Sequence, residues 1–147
     1  MDSQILFDKI ELTELTNKLF MYTDALQWDK LLAEVFVENI WFDMQSANGE
    51  QPVMLTAEAI CDMWKQGFAS LDSVHHQSGH YLINVNKNDA DIYGYAVATH
   101  FKRNASKGNT RTFTGSYDLK ASRTAKGWRL TQFKYNLKYM DGNIAFA

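Results

Sequence analysis

Apolar positions along this chain change their period once, near Asp72, which divides it into a helical first half and a stranded second half. Leu12, Leu15, Leu19, Tyr22 and Leu26 recur at spacings of three and four, as one face of a helix does. Asp2 or Ser3 is suited to cap the start of that helix. A short helix is expected from Trp28 to Val35, with Leu31, Leu32 and Val35 inward. Asn39 to Gln45 reads as a strand, and Asn48-Gly49 as the turn after it. Thr56 caps a further helix with Ala57, Ile60, Cys61, Trp64 and Phe68 on its apolar face. Glu58 and Asp62 lie early in that helix, where its dipole favours negative charge.

Beyond Asp72 strict alternation takes over. Four long strands are expected, over 74–87, 89–103, 109–124 and 127–140. Their joints are Lys87-Asn88-Asp89, Ala105 to Asn109 with Gly108, and Thr124 to Gly127, so antiparallel hairpins follow. Helices first and a strand meander last make an α+β class. No linker, low-complexity tract or repeat interrupts the chain, and residues 1–147 are expected to form a single domain.

Alternation also assigns faces. In the second long strand Tyr93, Tyr95, Val97, Thr99 and Phe101 share one face, and Ile92, Gly94, Ala96, Ala98 and His100 the other. His100 thus lies among small residues, which leave volume for a helix or a ligand. In the strand before it His76 shares a face with Ser78, His80 and Leu82, and His75 points the other way. A hairpin turning about Asn88 sets His76 opposite His100, with Cβ atoms within about 5 Å. A one-residue bulge spoils that pairing.

Composition narrows the chemistry. Formal net charge is −2, and the Lys and Arg residues between Lys102 and Lys138 alternate with apolar ones, as a solvated strand face does. No nucleic-acid partner is expected. Cys61 is the single cysteine, which excludes an internal disulfide, and its apolar helix face points to packing rather than nucleophilic work. No leader and no apolar run of membrane length is read, so a soluble, cytoplasmic protein without membrane attachment is expected. His75, His76, His80 and His100 raise the question of a metal. Neighbours on a strand face opposite ways, and His76 and His80 would stand about 13 Å apart, so none is expected. No phosphate loop or dinucleotide glycine pattern occurs, and no cofactor is expected. Aromatic residues make up 14% of the chain, enough that Trp41, Tyr81, Tyr95, Tyr117, Phe133 and Tyr135 line a pocket or fill the core. Tyr117 and Tyr135 are the best placed to offer an inward hydroxyl. Asp24, well off the Leu12–Leu26 stripe and nearer Phe20 and Asn17, reads by itself as a solvated helix-end residue or a cap for the next helix.

The order of these features resembles a known superfamily. A long helix is followed by Asp24-x-x-x-Trp28-Asp29-x-Leu31, a strand ending near Trp41-Phe42-Asp43, a helix, and four long strands, the last opening Gly127-Trp128-Arg129-Leu130. Over nearly its whole length the chain resembles the SnoaL-like branch of the nuclear-transport-factor-2-like superfamily. It is similar there to scytalone dehydratases and, more distantly, to bile acid 7α-dehydratases. The resemblance implies a cone: a strongly curved antiparallel sheet wrapped around N-terminal helices, with a pocket inside. It implies a homodimer or a homotrimer. It also matches Asp24 and His76 to an aspartate–histidine pair and His100 to a second active-site histidine. Ser116 and Asp118 fall near a serine and an asparagine of the dehydratases' later strand. Thr23 and Met44 stand where the dehydratases carry two tyrosines of the substrate-activating site.

Asp24, His76 and His100 are therefore the candidate catalytic residues. Met44, Tyr95, Ser116, Tyr117, Asp118 and Tyr135 are the candidate substrate contacts. The expected activity is a cofactor-independent lyase or isomerase, dehydratase-like, acting on a small cyclic or aromatic hydroxy-carbonyl compound. The alternatives are a polyketide cyclase and a non-catalytic ligand-binding or assembly domain, since this fold hosts both classes.

Overall fold

The computed structural model describes residues 2–146. The elements run α1 (Ser3–Asp24), α2 (Trp28–Glu34), β1 (Phe36–Asp43), α3 (Gln45–Asn48), β2 (Val53–Thr56), α4 (Ala57–Phe68), β3 (Ser73–Asn86), β4 (Asp89–Phe101), β5 (Thr110–Thr124) and β6 (Gly127–Gly142). One curved, unclosed sheet has the order β2-β1-β6-β5-β4-β3. Every pairing is antiparallel except that of β1 with β6. The helices cover one face, and Leu12, Leu19, Leu31, Ile40, Ile60, Ile92, Leu119 and Leu130 fill the layer between. This is the α+β class expected from the order of elements, in the cone form that the resemblance implied.

Asp2 caps α1 by accepting from the Gln4 amide at 3.1 Å. The helix stops at Asp24, and Leu26 takes a left-handed φ of 57° and stands exposed. Its place on the buried stripe is thereby corrected. The buried face runs instead through Leu12, Leu15, Thr16, Leu19, Phe20 and Thr23, turning Asn17, Phe20 and Asp24 toward β3.

The strand read to Gln45 ends at Asp43, whose Oδ1 accepts from the Gln45 amide and starts α3. Ser46 in α3 then donates to the Tyr135 carbonyl and accepts from the Leu137 amide, both at 2.8 Å. That pins β6 where it carries an extra residue, between the pairs Gly115–Leu137 and Thr114–Tyr139. Strand β2, an edge of only four residues after Pro52, has too short a pattern to read from sequence.

The β3–β4 hairpin corrects the expected register. Lys87, at φ 57°, and Asn88 form a two-residue turn, so Asn86 pairs with Asp89. A bulge at His80 and Tyr81 adds a second offset, and His80 there adopts φ 56°. His76 consequently pairs with Ala98, and His100 with Val74. Two offsets of one residue restore parity, so His76 and His100 share the inner face. The bulge turns His80 and Leu82 outward, away from the face they were expected to share with His76; His80 packs on Tyr95. Tyr81 lies across Gly94, where a Cβ would come within 2.5 Å of its ring.

Candidate active site

Asp24 sits at the last turn of α1 and meets β3 with both oxygens. Oδ1 is 2.6 Å from His76 Nδ1, and Oδ2 accepts from the His76 backbone N–H at 2.8 Å. Two contacts from one carboxylate hold the histidine in position and in rotation. A carboxylate only accepts, so Nδ1 carries a proton, and in the neutral ring Nε2 is the nitrogen that keeps its lone pair. The His76 side chain is 10% exposed and that of Asp24 17%. Phe20 stacks on the imidazole at 5.2 Å.

His100 is 8% exposed on the inner face of β4, packed edge-on by Phe68 and tilted against Phe113. Arg111, opposite it on β5, donates from Nε to His100 Nδ1 at 3.1 Å. Burial, and then the charge of Arg111, push this imidazole down to about 4, so it is neutral at neutral pH.

Both imidazoles line a cavity of about 180 Å³. Its walls are aromatic, with Phe20, Trp64, Phe68, Phe113 and Phe133, and Ala98 gives it depth. Met44, Tyr117 and Tyr135 line it as well. Burial pushes the Tyr135 phenol up to about 12 and the Tyr117 phenol above its ordinary range. Tyr135 Oη is buried with no hydrogen-bond partner among the described residues. Its tip lies over Gly115, where a Cβ would stand 2.8 Å from the hydroxyl. Thr23, also in the wall, spends its hydroxyl on the Leu19 carbonyl at 2.6 Å.

Three candidate contacts lie elsewhere. Tyr95, Ser116 and Asp118 project from the opposite, outer face of the sheet, as their strand parity requires. Tyr95 is 52% exposed, and Asn136 donates to both Ser116 and Asp118. The structure therefore does not bring them to the cavity.

Arg111 and Arg123, read as part of a solvated face, share the inner parity of β5 and bracket it at its two ends. Arg123 binds Asp8, which is 2% exposed and also accepts from Trp128 Nε1 and Gln4. Their odd numbering, shared with Tyr117 and Leu119, was the signal available in the sequence. Cys61 is buried, and burial pushes its thiol up to about 11, which suits packing. Among the described residues no group of three His, Cys, Asp or Glu side chains is arranged to hold a metal. Among the described residues no helix is long and apolar enough to cross a membrane.

The family of SnoaL-like domains matches residues 4–134. This chain belongs to that family. Its fold is shared with the Kfla4162 protein of Kribbella flavida at TM-score 0.92 and 23% identity, over 97% of each chain. A candidate scytalone dehydratase from Novosphingobium aromaticivorans superposes at TM-score 0.82 with 13% identity, over 97% of this chain and 91% of the other. The hexachlorocyclohexane dehydrochlorinase LinA-type3 of Novosphingobium barchaimii does so at 0.80 with 11% identity, over 98% and 95%. No curated protein matches the sequence. At these identities the likeness is one of fold, and the chemistry of this SnoaL-like domain rests on its own side chains.

Proposed function

We propose that this SnoaL-like protein is a cofactor-independent lyase or isomerase of dehydratase type. The observation that carries the reading is the 2.6 Å contact of Asp24 with His76 Nδ1, made at the wall of a cavity that His76 itself lines. His76 Nε2 takes a proton from the carbon next to a carbonyl, and Asp24 supports the imidazolium that forms. His100, neutral at the pH of the reaction, serves as a hydrogen-bond donor to the enolate oxygen rather than as a charged acid. The proton on His76 is then available to a departing hydroxyl. Tyr135, whose hydroxyl has no partner among the described residues, supplies a second contact to a substrate oxygen. The similarity in fold to a candidate scytalone dehydratase and to a dehydrochlorinase is in keeping with an elimination.

The cavity of about 180 Å³ is smaller than the roughly 300–1,000 Å³ of drug-sized sites, and its walls are aromatic. Both features favour a small, monocyclic, uncharged hydroxy-carbonyl compound. Exposed Leu82, Tyr95, Val97 and Tyr139 on the outer sheet face favour self-association, and the proposal includes a homodimer, with a homotrimer as the alternative, and a cytoplasmic location.

The test is hydrogen exchange in deuterated buffer against a panel of cyclic hydroxy-carbonyl compounds, followed by NMR. Exchange or elimination is expected with the wild type and a loss of at least 100-fold with His76→Ala. Undiminished turnover in His76→Ala overturns the assignment of the base.

A further inference from the structure

His100 owes its hydrogen-bonding character to groups outside the cavity. Arg111 Nε points at His100 Nδ1 from 3.1 Å. A guanidinium has only donors, so Nδ1 must present its lone pair to it. A proton on Nδ1 would set two donors head to head. In the neutral ring the proton is thereby forced onto Nε2.

Arg111 is in turn held from its far side. Its Nη1 donates to the Ile144 carbonyl at 3.0 Å. Its guanidinium lies over the Phe146 ring at 4.7 Å and over the Phe113 ring at 5.6 Å. The segment 143–146 that supplies these contacts is itself tied to the start of β5. The Asn143 amide donates to the Thr110 carbonyl at 2.9 Å, its side chain donates to the Gly108 carbonyl at 3.0 Å, and the Phe146 amide closes on the Asn143 carbonyl at 3.1 Å. Phe146 is 8% exposed, so its ring is packed rather than free.

We propose that Arg111 is a positioning residue that fixes His100 as the Nε2–H tautomer, and that the segment 143–146 acts as a clamp on Arg111. The consequence is a complementary pair in one cavity. Asp24, an acceptor, fixes the proton of a neutral His76 on Nδ1 and leaves the lone pair at Nε2. Arg111, a donor, forces His100 to offer a proton at Nε2. The same side-chain type becomes base on one strand and donor on the next, because the partner on each Nδ1 is of opposite kind. The use of the two rings in catalysis rests on the reading given under Proposed function; the tautomers themselves do not.

The experiment is nitrogen-15 NMR of histidine-labelled protein at pH 7, with His100 assigned by His100→Asn. Wild-type His100 is expected to carry its proton on Nε2 alone. Arg111→Met, which keeps bulk and removes the donor, is expected to yield a mixture of tautomers, with His76 unchanged. Phe146→Ala is expected to shift His100 in the same direction by a smaller amount with the fold intact. An Nδ1–H tautomer in the wild type, or an unaltered His100 in a folded Arg111→Met protein, overturns the role of Arg111. An unaltered His100 in Phe146→Ala overturns the clamp. With a substrate in hand, Arg111→Met should lower kcat toward the roughly 100-fold that losing one preorganised donor costs, with KM little changed. Because the NMR reading needs no substrate, failure of this proposal is separable from failure of the proposed reaction, which His76→Ala tests.

Discussion

Asp24 engages His76 twice, through Oδ1 to the ring nitrogen at 2.6 Å and through Oδ2 to the backbone amide at 2.8 Å. The backbone contact brings the last turn of α1 onto β3, and the ring contact sets the tautomer. Asp24→Asn keeps the shape of the carboxylate and removes its charge. By analogy with the loss of an orienting aspartate in a catalytic triad, turnover should fall by about 10²–10⁴-fold. Steady-state kinetics of Asp24→Asn, with thermal unfolding alongside, checks this; unchanged kcat would show that the carboxylate does not support the base.

His100 makes stability depend on mildly acid pH. Its ordinary value of 6.5 falls to about 4 in the folded protein, because of burial and then Arg111. The unfolded chain therefore takes up this proton first as pH drops. The stability contributed by the neutral buried ring is complete above pH 6.5, is lost progressively toward pH 4, and amounts to about 3 kcal/mol at most. Urea unfolding of the wild type and His100→Asn between pH 4 and 7 should show a shallower pH dependence in the variant. Parallel curves would refute the assignment.

Tyr135→Phe separates folding from function. The hydroxyl it removes is buried without a partner among the described residues, so the fold should be unchanged or more stable by up to about 1 kcal/mol. Affinity for a ligand bonded to that hydroxyl should drop about tenfold, the value of one hydrogen bond. Calorimetric binding and urea denaturation on the same preparation give both numbers. Equal affinity would remove Tyr135 from the substrate contacts.

Asp8 tests the opposite end of the molecule. Both its oxygens take Arg123 Nη2, at 2.9 and 2.8 Å, and Oδ1 also takes Trp128 Nε1 at 3.3 Å. Asp8→Ala strands a half-buried guanidinium and an indole N–H, and should cost about 3–5 kcal/mol. The loss should appear in chemical denaturation without any change in the His76 ring signals.

The periods of the apolar positions were enough to read the main helices, the four long strands and the class of fold, because burying one face of each element leaves a mark at spacings of three and four or of two. Within β4, strand parity separated Tyr95 from His100, but Tyr95, Ser116 and Asp118 were still read as substrate contacts; only the observed register sets Tyr117 and Tyr135 on the face of His100 and those three on the other. Local sequence carries no such mark for contacts between elements. Whether Asp24 touches His76 depends on where α1 ends against β3, which the left-handed turn at Leu26 and the packing of Phe20 decide together. Whether His76 and His100 share a cavity depends on two offsets, the Lys87–Asn88 turn and the His80 bulge, each of which alone would have put them on opposite faces. The partner of His100 is Arg111, eleven residues away in sequence and directly across the ladder. Pattern thus determined the elements and, within most of them, which side chains share a face. Register, bulges and helix ends, set by the packing of the whole sheet against its helices, decided which of them meet.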